Sequence, residues 1–167
     1  MEEIPEELQI PDDILSDLEK PDLLRSYIDE GKSLQEIIGY STSVMEQLYQ
    51  AAVIVFEEGR HREAQDGFLF LTTLNPYVYA YWLGLAMSYQ LLEEYEEAII
   101  AYECASKIDE EKPQPFYYLA GCYLLLNETQ EAQKMLRVAK EKCQNDEESR
   151  EFLKKIAKTE ARLKIKD

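Results

Sequence analysis

The chain has 167 residues, 46% of them hydrophobic and 31% charged, a balance that suits one soluble globular domain with a sizeable core and excludes wholesale disorder. A formal net charge of −16 excludes binding to a nucleic-acid backbone through neutralised phosphates. No run approaches the ~18 uncharged apolar residues of a membrane span, so no direct membrane insertion is expected.

The opening MEEIPEELQIPDD is acidic where a signal peptide is basic, so the protein is expected to stay in the compartment where it is made. Pro5, Pro11 and Pro21 break helix hydrogen bonding, which predicts a mobile lead with at most one short helix between Asp12 and Lys20. A second short helix is predicted near Leu23 to Asp29, ending at Gly31. Ser33 with Glu36 makes a capping box for a third that Gly39 stops after Ile38. Ser43 with Glu46 repeats the box and is expected to open the helical hairpins that follow.

From there the chain repeats itself. Leu48, Trp82 and Phe116 are 34 residues apart, and the same register carries Ala52, Ala86 and Ala120, then Val55, Tyr89 and Tyr123. It continues through Ala64, Ala98 and Ala132, Phe68, Tyr102 and Leu136, and Leu71, Ala105 and Ala139. Large apolar residues fill a helical hairpin and small ones let two backbones approach, and a 34-residue period is the tetratricopeptide length. The repeats are placed at 45–78, 79–112 and 113–146, with Gly59, the Glu93-Glu94 pair and Asn127 marking the turn between the A and B helices of each. Pro76 closes the first repeat, and Pro113 and Pro115 open the third where a helix start tolerates a missing N–H. After Asn145 a last helix carries Phe152, Leu153, Ile156 and Leu163 on one stripe, as a cap over the final hairpin requires. The predicted fold class is therefore all-α, a tetratricopeptide-repeat solenoid of three helical hairpins with N-terminal helices and a C-terminal capping helix. Its regions are an acidic segment over 1–40, the repeats over 41–146 and a capping helix with basic tail over 147–167.

Charge is uneven along this frame. Residues 1–40 hold twelve acids against three bases, whereas Arg150, Lys154, Lys155, Lys158, Arg162, Lys164 and Lys166 face only Glu151, Glu160 and Asp167 at the other end. Solvated faces that keep the protein soluble account for this, as does steering of a basic partner or contact between the head and tail of two subunits.

Catalysis finds little support. His61 is the only histidine and lies in the charged run GRHREA, read as an exposed loop residue, so neither a histidine triad nor a multi-histidine metal site can be built. The carboxylate pairs Glu57-Glu58, Glu93-Glu94, Glu96-Glu97 and Glu110-Glu111 fall at hairpin tips or polar faces, where water leaves them ordinary. Neither GxxxxGK[ST] nor GxGxxG occurs, and Cys104, Cys122 and Cys143 lack CxxC spacing and read as reduced thiols. No catalytic residue, cofactor or metal is expected.

A binding surface is. In tetratricopeptide hairpins the A helices line the concave side, and one stripe at helical spacing faces the groove. Here it comprises Tyr49, Val53 and Phe56, then Leu83, Met87 and Gln90, then Tyr117, Gly121 and Leu124, with Glu46, Ala80 and Gln114 at the rim. Leu48, Ala52, Val55 and their counterparts are assigned to the hairpin core, which leaves this second apolar face for an extended peptide with hydrophobic anchors.

Over residues 33–145 the chain resembles the class II chaperones of bacterial type III secretion, which handle hydrophobic translocator proteins. The likeness rests on GYSTSVMEQLYQAAVIVFEEGRHREAQDGFLFLTTLNPY, on LGLAMSYQ in the second A helix, and on the KP-x-P-F lead with the GCYLL run in the third. It implies a groove that binds an extended N-terminal segment of a translocator and keeps it soluble in the bacterial cytoplasm until export. The family's groove aromatics fall on Tyr49 and Phe56, while Val53 stands where a larger side chain is common. The resemblance also links the acidic lead before Ser33 to self-association, and the chain is expected to associate with itself, as a homodimer, through residues before Gly39. Tyr49, Val53, Leu83, Met87, Tyr117 and Gly121, the fifth and ninth residues of the A helices, stand where co-chaperone modules carry the Lys, Arg and Asn that read a terminal carboxylate. A structural scaffold joining protein subunits stays open as the alternative.

Overall fold

The computed structural model describes Pro5, residues 8–144 and residues 147–164. The described residues form ten helices and no strand, and the chain divides into two compact units, Met1–Tyr77 and Val78–Asp167. Asn145, Lys166 and Asp167, which the sequence places at the end of the third repeat and in the basic tail, lie outside the described residues.

The first unit holds α1 (Asp12–Leu18), α2 (Pro21–Asp29), α3 (Leu34–Ile38), α4 (Thr42–Glu57) and α5 (His61–Leu74). Pro21 is the first residue of α2 and not only a breaker, because its missing N–H falls among those that no helix start can pair. The capping box at Ser33 forms as expected, with Ser33 Oγ accepting from the Glu36 N–H at 3.3 Å and Glu36 accepting from the Ser33 N–H at 2.8 Å. One expected cap is displaced by two residues. Ser41, not Ser43, caps α4: its backbone is extended, and its Oγ accepts from the Val44 N–H at 3.2 Å. Gly39 adopts φ +78 and turns the chain sharply after α3, so the helix restarts before Ser43 is reached, and Glu46 accepts from Gln50 instead. A short relay then ties this unit together. Asn75 donates to Gln35 at 2.8 Å, Gln35 donates to the Tyr40 carbonyl, and the Tyr40 hydroxyl donates to the Leu8 carbonyl at 2.7 Å.

The second unit holds α6 (Tyr79–Leu91), α7 (Tyr95–Ile108), α8 (Gln114–Leu125), α9 (Thr129–Lys142) and α10 (Glu147–Lys164). Helices α4 with α5, α6 with α7, and α8 with α9 are the three expected hairpins. Their turns are built alike. Gly59, Glu93 and Asn127 all take left-handed φ, at +80, +63 and +63. In each turn that residue's N–H bonds back to the carbonyl of the penultimate helix residue (Phe56, Gln90, Leu124). The next N–H bonds to Val55, Tyr89 or Tyr123, which is the Schellman pattern.

Between the hairpin helices the small repeat residues are sealed: Ala64, Ala98 and Ala132 are 0% exposed, and Phe68, Tyr102 and Leu136 at most 2%. Ala52, Ala86 and Ala120 are buried as well, and a Cβ on Gly67 would come within 3.2 Å of that of Ala52, so α4 and α5 touch nearly backbone to backbone. The large positions behave differently from expectation. Leu48, Trp82 and Phe116, and Val55, Tyr89 and Tyr123, are only half-buried, although Phe116 and Tyr123 still pack against the core cluster around Leu136. In their place Leu85, Ser88, Leu119 and Cys122 are buried on the A helices of the second unit. Helix α10 closes that unit: Ile156 joins Ala120, Ala132, Leu136 and Ala139 in one core cluster, and Phe152 is buried too. Removing an Ile side chain from water is worth about 1.5–3 kcal/mol, so α10 is a structural part of this unit.

Candidate functional site

The nine residues assigned to the groove stripe share one property. Tyr49, Val53, Phe56, Leu83, Met87, Gln90, Tyr117, Gly121 and Leu124 are all half-buried. Each is therefore partly packed into the fold and partly open to solvent. At the rim Glu46 is exposed, while Ala80 and Gln114 are half-buried.

In the first unit the stripe is propped from beneath by a buried ring. Tyr49 and Phe56 both set their rings edge-on against Phe68, with centroids 6.2 and 6.5 Å apart. Such contacts fix aromatic side chains at little entropic cost to a later ligand. His61, expected as an exposed loop residue, is the first residue of α5 and half-buried, with its ring 5.2 Å from that of Phe56. The opposite flank of α4 is apolar as well. Leu48, Ala51 and Val55 line a cavity of about 210 Å³ with Gly67 and Phe70 of α5, beside Ile54, which is 54% exposed.

In the second unit α6 contributes Leu83, Met87 and Gln90, and α8 contributes Tyr117, Gly121 and Leu124. Tyr117 is shared with the cap, since its ring meets that of Phe152 edge-on at 5.8 Å, and it touches Tyr118 at 5.5 Å. Leu91 and Leu125, again 34 residues apart, follow directly on Gln90 and Leu124 and are 53% and 54% exposed, which lengthens the apolar surface at the ends of both A helices. Beneath lies Tyr102, stacked on Tyr118 at 5.5 Å, its hydroxyl donating to Gln90 Oε1 at 2.6 Å. Burial pushes the Tyr102 phenol far above its ordinary range and raises that of Tyr118, so Tyr102 is a neutral donor at any physiological pH. The repeat register places Tyr102 in the core and gives no hint of this second duty. The one signal was a hydroxyl at a position that Phe68 and Leu136 fill without one.

Among the described residues no group of three or more His, Cys, Asp or Glu side chains is placed to hold a metal, and no helix is long and apolar enough to cross a membrane. Cys104, Cys122 and Cys143 form no disulfide among the described residues, and Cys122 is buried, its pKa pushed up to about 11 by burial.

No family model matches the chain. It is similar to the low calcium response locus protein H of Yersinia pestis, 26% identical over 143 residues that span 86% of this chain and 85% of the relative. Among solved structures it resembles the type III secretion chaperone SycD of Yersinia enterocolitica in complex with a peptide of the translocator YopD. That match has a TM-score of 0.72 at 28% identity and covers 75% of this chain and 96% of SycD. It likewise resembles PcrH of Pseudomonas aeruginosa in complex with the chaperone-binding region of PopD. Here the TM-score is 0.73 at 27% identity, with 77% and 98% of the two chains covered.

Proposed function

We propose that this chain, a class II translocator chaperone of bacterial type III secretion by its sequence and fold relatives, holds an extended apolar segment of a translocator on the A-helix stripe described above. The observation that carries the reading is the uniform half-burial of that stripe in a fold whose relatives are solved with translocator peptides. Translocators carry membrane-seeking segments that aggregate in water. Docking a few such anchors on preformed side chains hides them at modest entropic cost. The net charge of −16 keeps the complex soluble. The chain acts by binding and not by catalysis, and it does so in the bacterial cytoplasm. Residues 1–40 serve self-association as a homodimer, 41–146 bind cargo, and 147–167 cap the repeats.

The test is recovery of cargo. Full-length tagged protein purified from its own cells is expected to bring down a secreted, membrane-active protein that is insoluble without it. Tyr49→Asp and Leu83→Asp are each expected to lose that partner while circular dichroism keeps the helical signal. Retention of cargo by both variants would place binding elsewhere, and a partner that is equally soluble alone would favour a scaffold.

A further inference from the structure

Gln90 is the one polar side chain among the nine stripe residues apart from the tyrosines, and the structure treats it unlike the others. Its Oε1 accepts from the Tyr102 hydroxyl at 2.6 Å, and Tyr102 is itself 0% exposed and stacked on Tyr118, so the amide is held from below by a rigid, buried donor. With the oxygen fixed downward, the nitrogen is directed across to α8. Among the described residues Nε2 is the only atom within 4 Å of where a Cβ on Gly121 would lie, at 3.7 Å, leaving aside Gly121's chain neighbours and the backbone of its own helix. That nitrogen donates no hydrogen bond among the described residues, and it is not one of their sealed-off polar atoms. Gly121 sits in the middle of α8, where a glycine costs helix stability and its conformational freedom is not used. What it provides is space: a bare stretch of helix beside an oriented, unspent N–H₂ group.

Side chains of a bound segment can be satisfied by Leu83, Met87, Tyr117 and Leu124, but an extended peptide also brings backbone carbonyls that lose water when it docks. Each carbonyl left unpaired there costs binding free energy, which a fixed donor recovers. Resting on the peptide-binding reading above, we infer that Gln90 reads the main chain of the cargo: its Nε2 donates to one backbone carbonyl of an extended peptide that lies over Gly121. Tyr102 is a positioning residue for that bond. The recognition is independent of cargo sequence at that one residue, and the apolar anchors on either side supply the selectivity.

The test uses full-length protein and a probe peptide selected from a random displayed library on the wild type and lost by Leu83→Asp. Gln90→Glu keeps an oxygen for the Tyr102 hydroxyl but replaces the donor with an acceptor. Gly121→Ala meets Nε2 at an ordinary contact distance of 3.7 Å, so it folds yet fills the approach. Both are expected to weaken the peptide about three- to tenfold or more, the range of one hydrogen bond. A set of peptides with single amide-to-ester replacements, which weaken one carbonyl at a time, is expected to show one position whose loss in the wild type disappears in Gln90→Glu. Tyr102→Phe, with the stack intact, is expected to reduce the same coupling. Wild-type affinity in both Gln90→Glu and Gly121→Ala, or weakening with no coupled ester position, would overturn the inference and leave the groove reading standing. Failure to select any peptide that depends on Leu83 would overturn the groove reading itself.

Discussion

Replacing Glu93 by glycine is expected to stabilise the protein. Glu93 adopts φ +63 at the turn between α6 and α7, and its exposed side chain makes no hydrogen bond or ion pair among the described residues. A left-handed backbone costs a residue with a Cβ about 1–2 kcal/mol, and glycine escapes this while losing about 0.5–1 kcal/mol more entropy on folding. The net gain is about 0.5–1 kcal/mol, or roughly 1–4 °C in melting temperature for a chain of this size. Gly59 offers the reciprocal change at the same repeat position. It has φ +80, and a Cβ added there would meet no atom within 4 Å, so Gly59→Ala costs only the backbone term, about 1 kcal/mol. Thermal melts followed by helical circular dichroism on both variants check the pair. A neutral Gly59→Ala together with a destabilised Glu93→Gly would refute the claim that these turns store backbone strain.

Two further outcomes concern a helix cap and a buried thiol. Ser41→Ala is expected to lower stability by about 1 kcal/mol and Ser43→Ala by much less, since only Ser41 accepts from an orphan N–H of α4; urea titrations of the two variants rank them. Stability is also expected to fall as pH rises from about 9 to about 11: the unfolded Cys122 thiol ionises near its ordinary value while the buried one holds its proton to about 11, so raising the pH favours the unfolded chain. The loss reaches about 2–3 kcal/mol from this group, and Cys122→Ala should make the decline in melting temperature shallower without removing it, because Tyr102 is raised by burial too.

The period of 34 residues made the hairpins, their turns and their alanine seams legible, because the same residue type meets the same neighbour in each repeat. Ala64, Ala98 and Ala132 were readable for that reason, and so was the cap formed by Phe152 and Ile156. Where the type changes from repeat to repeat, the signal vanishes. Ala51, Leu85 and Leu119 share a register, as do Ile54, Ser88 and Cys122; the later two of each set are buried and the first of each is exposed. Ser41 and Ser43 could not be separated by pattern, since the choice is made by the left-handed Gly39 upstream. The stripe is proposed from a row of apolar residues in the sequence. The support given to Gln90 by Tyr102 was not legible there, because a hydrogen bond between side chains twelve positions apart on different helices leaves no periodic trace.

The repeated turn also bears on how long such a protein survives in a cell full of proteases. Cleavage requires a stretch of chain drawn out into an active site, and surface loops usually supply it. Here the three tips at Gly59, Glu93 and Asn127 pass from helix to helix within three residues, and the two N–H groups that would have to let go are both bonded back into the helix just ended. At these three tips the chain therefore offers a protease little backbone to draw out.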